Sequence, residues 1–472
     1  MNKTRGPASC SRLAPKIACL SSVLLAASPG RAQEPLVDYD QPTSDRAFVD
    51  YARAGANLAF VNWTFWQIAW SRDKDWAPIT RSTLKDNLRH GFEWDQDILQ
   101  TNFFGHPYHG SLQFNSARGA GLSFWESAAY TLAGSMTWEL FAEREKPSLN
   151  DLAVTTLGGV MLGEIMHRLS SQILDDSEDE GRLSRELMAA AVNPMRGFDR
   201  LTTGRAWRNG HRPVRRPVRI ALEFGVDRVS MEQEKGELTS SRPAVLLAVD
   251  VEYGTLLPAP GERQLGAFDY FELYAATNLF NSQLSGAHVY SHGLLYGVSL
   301  PLSVEPRPLQ DNDVFGFGMS YEYVGTNFAT YSGIGIGPVN HLVLRLNSGR
   351  SLRLSVGGDL VPVLGASSTE ARSGDRDYNF ASGFSPWSGL ELRLGKFGEI
   401  GLQMRHYIAK VVDGVQGDEL IGSLRLWYEV EPLRGLGIGI APTSVYRRGL
   451  YADRDSYWAQ QLSAQLYLTV RP

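Results

Sequence analysis

Two rhythms of apolar residues divide this chain near Arg216. From Pro217 onward the period is two: Val218, Ile220, Leu222, Phe224 and Val226 alternate with Arg219, Ala221, Glu223, Gly225 and Asp227. The same alternation recurs in Leu247 to Gly254, Phe315 to Tyr323, Leu352 to Val356, Leu390 to Leu394 and Leu462 to Leu468. One face of each segment is aliphatic or aromatic and the other is charged, and Gly, Asn, Asp and Pro mark the turns between segments of about ten residues. That is the pattern of a transmembrane β-barrel, and counting segments predicts about twelve strands. They begin near Val218, Ala244, Ala267, His288, Asp313, His341, Ser351, Ser388, Glu399, Glu419, Gly435 and Ser456. The inward face would carry Arg219, Glu223, Asp250, Glu252, Glu322 and Arg353, with both signs present, which predicts ion pairs across the lumen and not a selective pore.

Before Arg216 the spacing is three to four. Val49, Ala52, Ala56, Ala59, Phe60, Trp63 and Trp66 predict an amphipathic helix over about 45–70, with an aromatic apolar face suited to packing or to a membrane interface. A shorter helix is expected over 80–89, stopped by Gly91. Ser123 with Glu126, and Ser148 with Asp151, have capping-box spacing, so helices are expected over 124–141 and 149–173. Ser123, Ser127, Thr131 and Ser135 line one, and Gly158, Gly159 and Gly163 the other. Such stripes let two helices approach closely. Acids interrupt both apolar runs, which predicts a buried hairpin and not a membrane-crossing one. A further helix is expected over 184–192, ended by Asn193-Pro194.

The fold expected is therefore α+β: an N-terminal helical unit followed by an antiparallel transmembrane β-barrel of about twelve strands. Residues 1–32 read as a cleaved signal peptide, with a basic front, an apolar run from Ile17 to Ala27 and a small-residue site ending at Ala32. The helical domain then occupies 33–200, a basic linker 201–216 and the barrel 217–472. The helices are expected to cap the barrel's periplasmic mouth or partly fill its lumen. Arg196, Arg200, Arg205, Arg208, Arg212, Arg215 and Arg216 make a basic run open to two readings, a solvated linker or a contact with anionic lipid headgroups. The only cysteines, Cys10 and Cys19, fall in the leader, so no disulfide is expected. A net charge of -5 over 472 residues gives no support to a nucleic-acid partner.

One stretch carries a resemblance. The run Asn102 to Gly110, then Phe114 to Arg118, Phe124 to Ser127, Trp138-Glu139, Asp151, and Gly158-Gly159 through Gly163-Glu164, with Asn193 to Phe198, resembles a bacterial family catalogued as domain of unknown function 3943. The resemblance covers roughly 57–200 and implies no activity or catalytic residue. Glu139, Arg144, Asp151 and Gly158 are also similar, as a helical hairpin only, to the VanZ-like pattern.

The residues that could carry chemistry are few. His106 and His109 flank Pro107-Tyr108 in what reads as a loop, and a neutral imidazole there could act as a base or bind metal. Glu139 and Glu143 are expected to share one helix face at four-residue spacing, and Glu164 with His167 has the Glu-x-x-His spacing of di-iron carboxylate bundles. A complete site of that type needs a second such motif, which the chain lacks. Glu126 and Asp151 have a sufficient explanation as caps. No nucleophile elbow, P-loop, His-Glu-x-x-His or dinucleotide fingerprint occurs, and no cofactor is named by the sequence. Three functions remain open. The first is a non-enzymatic outer-membrane protein, a plugged channel or an envelope component. The second is a lipid-modifying enzyme using His106, His109, Glu139, Glu143, Glu164 and His167. The third is a lipid- or glycan-binding module with Trp63, Trp66 and Trp138 as its groove. Outer-membrane lipid is the partner common to all three.

Overall fold

A computed structural model describes residues 48–471 apart from the loop positions 211–214, 234–237, 241–242, 258–262, 280–285, 303–310, 327–329, 348, 368–375 and 453–454. The expected signal peptide lies outside the described residues. Twelve strands follow one another around a closed antiparallel barrel: β1 (Val218–Gln233), β2 (Ala244–Gly254), β3 (Tyr270–Leu279), β4 (Ala287–Leu302), β5 (Asp311–Gly325), β6 (Tyr331–Asn347), β7 (Arg350–Ser367), β8 (Tyr378–Leu394), β9 (Glu399–Asp413), β10 (Gly417–Leu433), β11 (Leu436–Tyr451) and β12 (Tyr457–Val470). Closure comes from β12 on β1, in a register that sets Leu222 opposite Val470 and Gln233 opposite Ala459. Each strand thus hydrogen-bonds on both sides and no edge is left, the condition for a sheet in lipid.

The alternation falls as the sequence implies. Leu222, Phe224 and Val226 of β1, Phe315 and Phe317 of β5, and Leu466 and Leu468 of β12 stay exposed on the outer wall. An apolar exterior of this kind is stable only against hydrocarbon, so the barrel is a transmembrane one of the outer-membrane type. Inside, charges meet across the lumen. Arg353 of β7 reaches Glu252 of β2 at 2.8 Å and Glu272 of β3 at 2.8 Å. Arg405 of β9 bonds Asp359 of β7 and Ser320 of β5, each at 2.9 Å. The Arg425 guanidinium of β10 lies 4.1 Å over the Tyr274 ring of β3, and Ser423 of β10 donates to Glu322 of β5 at 3.0 Å. Apolar clusters fill both ends. Leu256 and Leu265, from the segment between β2 and β3, pack with Tyr270, Leu294 and Val314 at one end, and Tyr331, Leu364, Tyr407 and Ile421 pack together at the other. Three spaces among the described lumenal side chains measure about 90, 50 and 20 Å³, room for a few waters each.

Among the described residues seven α-helices precede the barrel: α1 (Phe48–Ser71), α2 (Arg81–His90), α3 (His106–Gly119), α4 (Phe124–Phe141), α5 (Leu149–Ile173), α6 (Arg182–Val192) and α7 (Pro194–Thr202). Ser123 and Glu126 form the capping box expected of α4, with Ser123 N donating to Glu126 Oε2 at 2.8 Å. At α5 the box is half made: Ser148 Oγ accepts from Asp151 N at 3.1 Å, but Ser148 N donates to Glu139 of α4 instead. Helix α3 corrects the sequence reading. His106 to His109 is not a loop but the first turn of α3, which continues directly from a π-helical turn over Thr101–Gly105, with His106 N donating to Thr101 O. The periodicity that would have announced it is absent because α3 is enclosed on all sides, and Pro107 and His109 through Gly119 are all buried.

The helices sit on the outside of the barrel. Val251 and Tyr253 of β2, Phe271 of β3, Met319 of β5 and Ile336 of β6 point outward, yet Phe271 is 0% exposed because Phe114, Phe124, Val160 and Ile165 cover that patch. Further along, Phe103 fills the space over Gly365 of β7, Trp94 meets Phe380 of β8 at 4.9 Å, and Tyr321 Oη donates to Phe103 O at 2.6 Å. At the opposite end Arg168 Nη2 donates to Ala267 O at 2.9 Å and Gln172 to Arg216 O at 3.3 Å. The unit therefore caps the barrel from its flank, along the wall from one mouth toward the other. Among the described residues no helix enters the lumen, the alternative placement, because the barrel's own side chains already occupy it.

Candidate functional site

Order within the helical unit is set by glycine. Helix α5 lies on the barrel wall and α3 lies on α5, meeting it where a Cβ on Gly110 would stand 1.9 Å from Thr155 O and one on Gly159 2.5 Å from Gly110 Cα. Helices this close hold their polar side chains in a shared interior. Asn115 of α3 donates to Gly163 O at 3.0 Å and accepts from Asn193 at 2.7 Å. Below it Glu164 is gripped by Arg118 Nε at 2.8 Å and Nη2 at 3.1 Å, and by Arg168 Nε at 2.7 Å. The two guanidinium groups fully engage the Glu164 carboxylate. The Glu-x-x-His spacing of Glu164 and His167 thus serves an ion-pair hub, and His167 O accepts from Arg196 at 3.0 Å.

The other candidates separate into two places. His109 is buried in the bundle, stacked on Phe65 at 4.3 Å, edge-on to Trp138 at 4.7 Å, with Nε2 3.1 Å from Asn62 Oδ1. Near the barrel end formed by β7 and β8 an acidic cluster gathers His106, Asp95, Asp97, Glu139, Glu143 and Asp151. His106 Nε2 lies 3.4 Å from Asp151 Oδ1, and His106, Asp95 and Asp97 each offer a ligand atom within 4.8 Å of the others. These three could hold a divalent cation by spacing. Asp95 is already satisfied by amides, accepting from Asn102 and Asn150 at 3.0 Å each, and the cluster is tied to the barrel by Tyr378 Oη, which donates to Asp97 O at 2.9 Å. Asp95 and Asp97 carried no signal in the sequence, since neither has helical spacing to His106.

Glu139 and Glu143 do not share a helix face, because α4 ends at Phe141 and Glu143 belongs to the turn beyond it. That turn places the Glu143 carboxylate on the Trp138 indole N–H. Burial pushes Glu143 up to about 8, helped by Glu145, Asp97 and Asp95. Asp97 rises to about 6 for the same reason, with Asp95 next. A carboxyl raised on folding binds its proton more tightly in the native state, so stability is full below its unfolded value and falls as pH rises toward the folded one. The helical unit is therefore expected to resist limited proteolysis better near about pH 5 than near about pH 9. Glu143→Gln should flatten that difference, and an unchanged slope would show that the carboxyl is not responsible.

The aromatic groove does not assemble. Trp138 is buried against Trp76 and His109, Trp66 Nε1 donates to Ala77 O at 2.9 Å, and Trp63 remains exposed beside Phe60. The basic run is partly interior: Arg200 pairs with Asp176 and Glu186, and Arg216 lies 3.0 Å from Asp269. Arg212 is outside the described residues.

The architecture is thus a closed twelve-stranded transmembrane barrel bearing a polar-cored helical unit on its flank. Residues 91–195 match the model of the family described as Domain of unknown function (DUF3943), as the motifs led us to expect. The match takes in α3 to α6 and stops short of the barrel. No curated protein matches the chain. Among solved structures the chain is similar to an anion-selective porin from Comamonas acidovorans, at 8% identity over 54% of this chain and 99% of that one, TM-score 0.23. It is also similar to the translocator domain of the autotransporter NalP from Neisseria meningitidis, at 14% identity over 60% and 98%, TM-score 0.22. A third likeness is to the toluene transporter TodX of Pseudomonas putida, at 9% identity over 54% and 90%, TM-score 0.21. At such scores these likenesses carry no argument, and the barrel rests on its own strand register.

Proposed function

We propose that this chain is an exported, non-enzymatic outer-membrane protein in which a sealed barrel anchors the helical unit beside it for an envelope-organising role. The observation that carries the reading is the lumen, where Arg353 and Arg425 reach from β7 to β2 and from β10 to β3, and Arg405 from β9 to Ser320 of β5. A diffusion pore needs a continuous wet path, and the side chains that cross the described lumen, with spaces of about 90, 50 and 20 Å³ among them, support a closed one. Residues 1–32 would act as the cleaved signal that brings the chain to a Gram-negative envelope, and outer-membrane lipid is its partner. The catalytic alternative is less well supported, because Glu164 is neutralised by arginines and His109 is enclosed by aromatic rings.

The expected result in a planar bilayer is silence from the full-length protein, which should nonetheless fractionate with the outer membrane and shift in gel mobility on boiling. Regular conductance steps from the unaltered protein would sink the sealed-anchor reading.

A further inference from the structure

The outer layer of the helical unit, α1 and α4, has an unusual distribution of polarity. Ala56, Ala59, Phe60, Trp63, Ile68 and Trp70 of α1 are exposed, as are Trp125, Ala129, Leu132, Ala133, Met136 and Phe141 of α4. Most polar residues of both helices face inward: Asn57, Ser127, Thr131, Ser135 and Glu139 are buried and Asn62, Thr64 and Gln67 half-buried, while the exposed Thr137 and Ser71 return their hydroxyls to the helix backbone, to Gly134 O at 2.8 Å and Ile68 O at 2.9 Å. The four charged side chains in these helices are all partnered. Arg53 pairs with Asp50 at 3.1 Å and with Asp199 at 3.0 Å, Glu126 accepts from Tyr51 at 2.7 Å, and Glu139 accepts from Ser148 N. Exposed charges appear only beyond the helix ends, in Arg72, Asp73, Lys74 and Asp75 after α1, in α2, and in Arg144, Glu145 and Lys146 after α4. The opposite end is flanked by Glu178, Asp179 and Glu180.

A soluble bundle is built the other way round, with charge on its outer face. No described helix is long and apolar enough to cross a membrane by mean hydropathy, but that average mixes an apolar outer face with a polar inner one. The outer face alone is what hydrocarbon requires. Position agrees. The unit covers Met319 and Tyr321 of β5 while Phe315 and Phe317 of the same strand stay exposed, and on the other flank Leu222 and Phe224 of β1 do the same. Lipid that wets those stretches of wall borders the helices that cover the rest of the same strands. Helix α1, at about 1.5 Å per residue, spans the roughly 30 Å of a bilayer's hydrocarbon, and Trp70 and Trp125 stand near opposite ends of the layer, where interfacial tryptophans belong.

We infer that the outer face of α1 and α4 is a lipid-contacting surface, continuous with the apolar belt of the barrel, so that the helical unit lies within the bilayer beside the strands. This rests on the transmembrane barrel but not on the sealed lumen, so a conducting protein would leave it standing. Its polar core, with the Arg118, Glu164 and Arg168 hub, is then shielded from hydrocarbon by α1 and α4 on one side and by the barrel wall on the other.

The test places single spin labels on the full chain carrying Cys10→Ser and Cys19→Ser, reconstituted in palmitoyl-oleoyl phosphatidylcholine vesicles. Labels at Ala56→Cys and Ala133→Cys probe the face, Val226→Cys the barrel belt and Lys85→Cys the aqueous end. Heat-shifted gel mobility establishes that each variant folds. The expected outcome is that both face labels collide with oxygen and exclude a nickel chelate as the Val226 label does, with an oxygen-to-nickel ratio about an order of magnitude above that of the Lys85 label. A ratio equal to the Lys85 value overturns the inference, because the face is then in water. Exclusion of both agents also overturns it: with dipolar broadening the occupant is a second copy, and without broadening it is another segment of this chain.

Discussion

Glu164→Ala is expected to loosen the helical unit more than any other single change of a charged residue. The carboxylate is 0% exposed and is the shared partner of Arg118 and Arg168, whose side chains are 2% and 7% exposed. Removing it leaves two buried cations facing each other, and breaking a buried pair from one side costs about 3–5 kcal/mol. The effect should travel, because Arg168 also bonds Ala267 O and lies 3.5 Å from Asp269 in the segment that closes the lumen. Limited proteolysis should therefore cut the helical unit first and leave the barrel heat-shiftable. The triple change Glu164→Leu, Arg118→Met and Arg168→Met removes every charge at once and should recover a large part of the loss. If Glu164→Ala resists protease as the native chain does, the hub is not what holds the helices to the wall.

Much of the fold was legible in the sequence, and what was not has a physical reason. Strand number followed from alternation because each strand has one face to lipid and one to the lumen, and the starts at Val218, Ala244 and Glu399 coincide with those observed. The starts expected near His341 and Ser388 fall inside β6 and β8, since Gly333, Gly335 and Gly337 interrupt the pattern at the beginning of one, and Gly383 and Pro386 at the beginning of the other. Helices α4 and α5 were legible from their caps, Ser123 and Ser148. Helix α3 was not, because a helix buried on every side has no amphipathic period. Nor could the docking side be read. Tyr253, Phe271 and Met319 look in sequence like any lipid-facing positions, and only the fold shows protein over them. A wall residue that meets lipid and one that meets a helix carry the same apolar character.

The candidate site was legible residue by residue but not as a constellation. Glu139, Glu143 and His106 lie in one cluster only because the α4–α5 turn and the segment around Asp95 fold against β8 through Tyr378 and Arg376. Glu164 and His167, candidates for the same metal site as Glu139, belong to the opposite half of α5 with the arginines. Spacing along one helix told which side chains share a face, whereas the partners that decide their chemistry come from elements distant in sequence.

Gly159→Val should have a large effect on packing, because what it strikes is backbone. Its Cβ would lie 2.5 Å from both C and Cα of Gly110, and Gly110 has no side chain to move aside. Overpacking in a core that can adjust costs about 1–3 kcal/mol. Here α3 must lift away from α5 as a body, so the upper end of that range or beyond is expected. Lifting α3 also parts Asn115 from Gly163 O and Arg118 from Glu164, since both bonds cross the same interface. The expected phenotype is a barrel that still assembles and shifts on boiling, with the helical unit cleaved by protease at concentrations the native chain withstands. Gly121→Ala is a fitting contrast: a Cβ there meets nothing within 4 Å, and the cost is confined to the strain of its φ of +96°. Equal protease resistance of Gly159→Val and the native protein would mean that the close α3–α5 crossing does not hold the unit together. The polar interior would then need another explanation for its enclosure beside the lipid-facing wall.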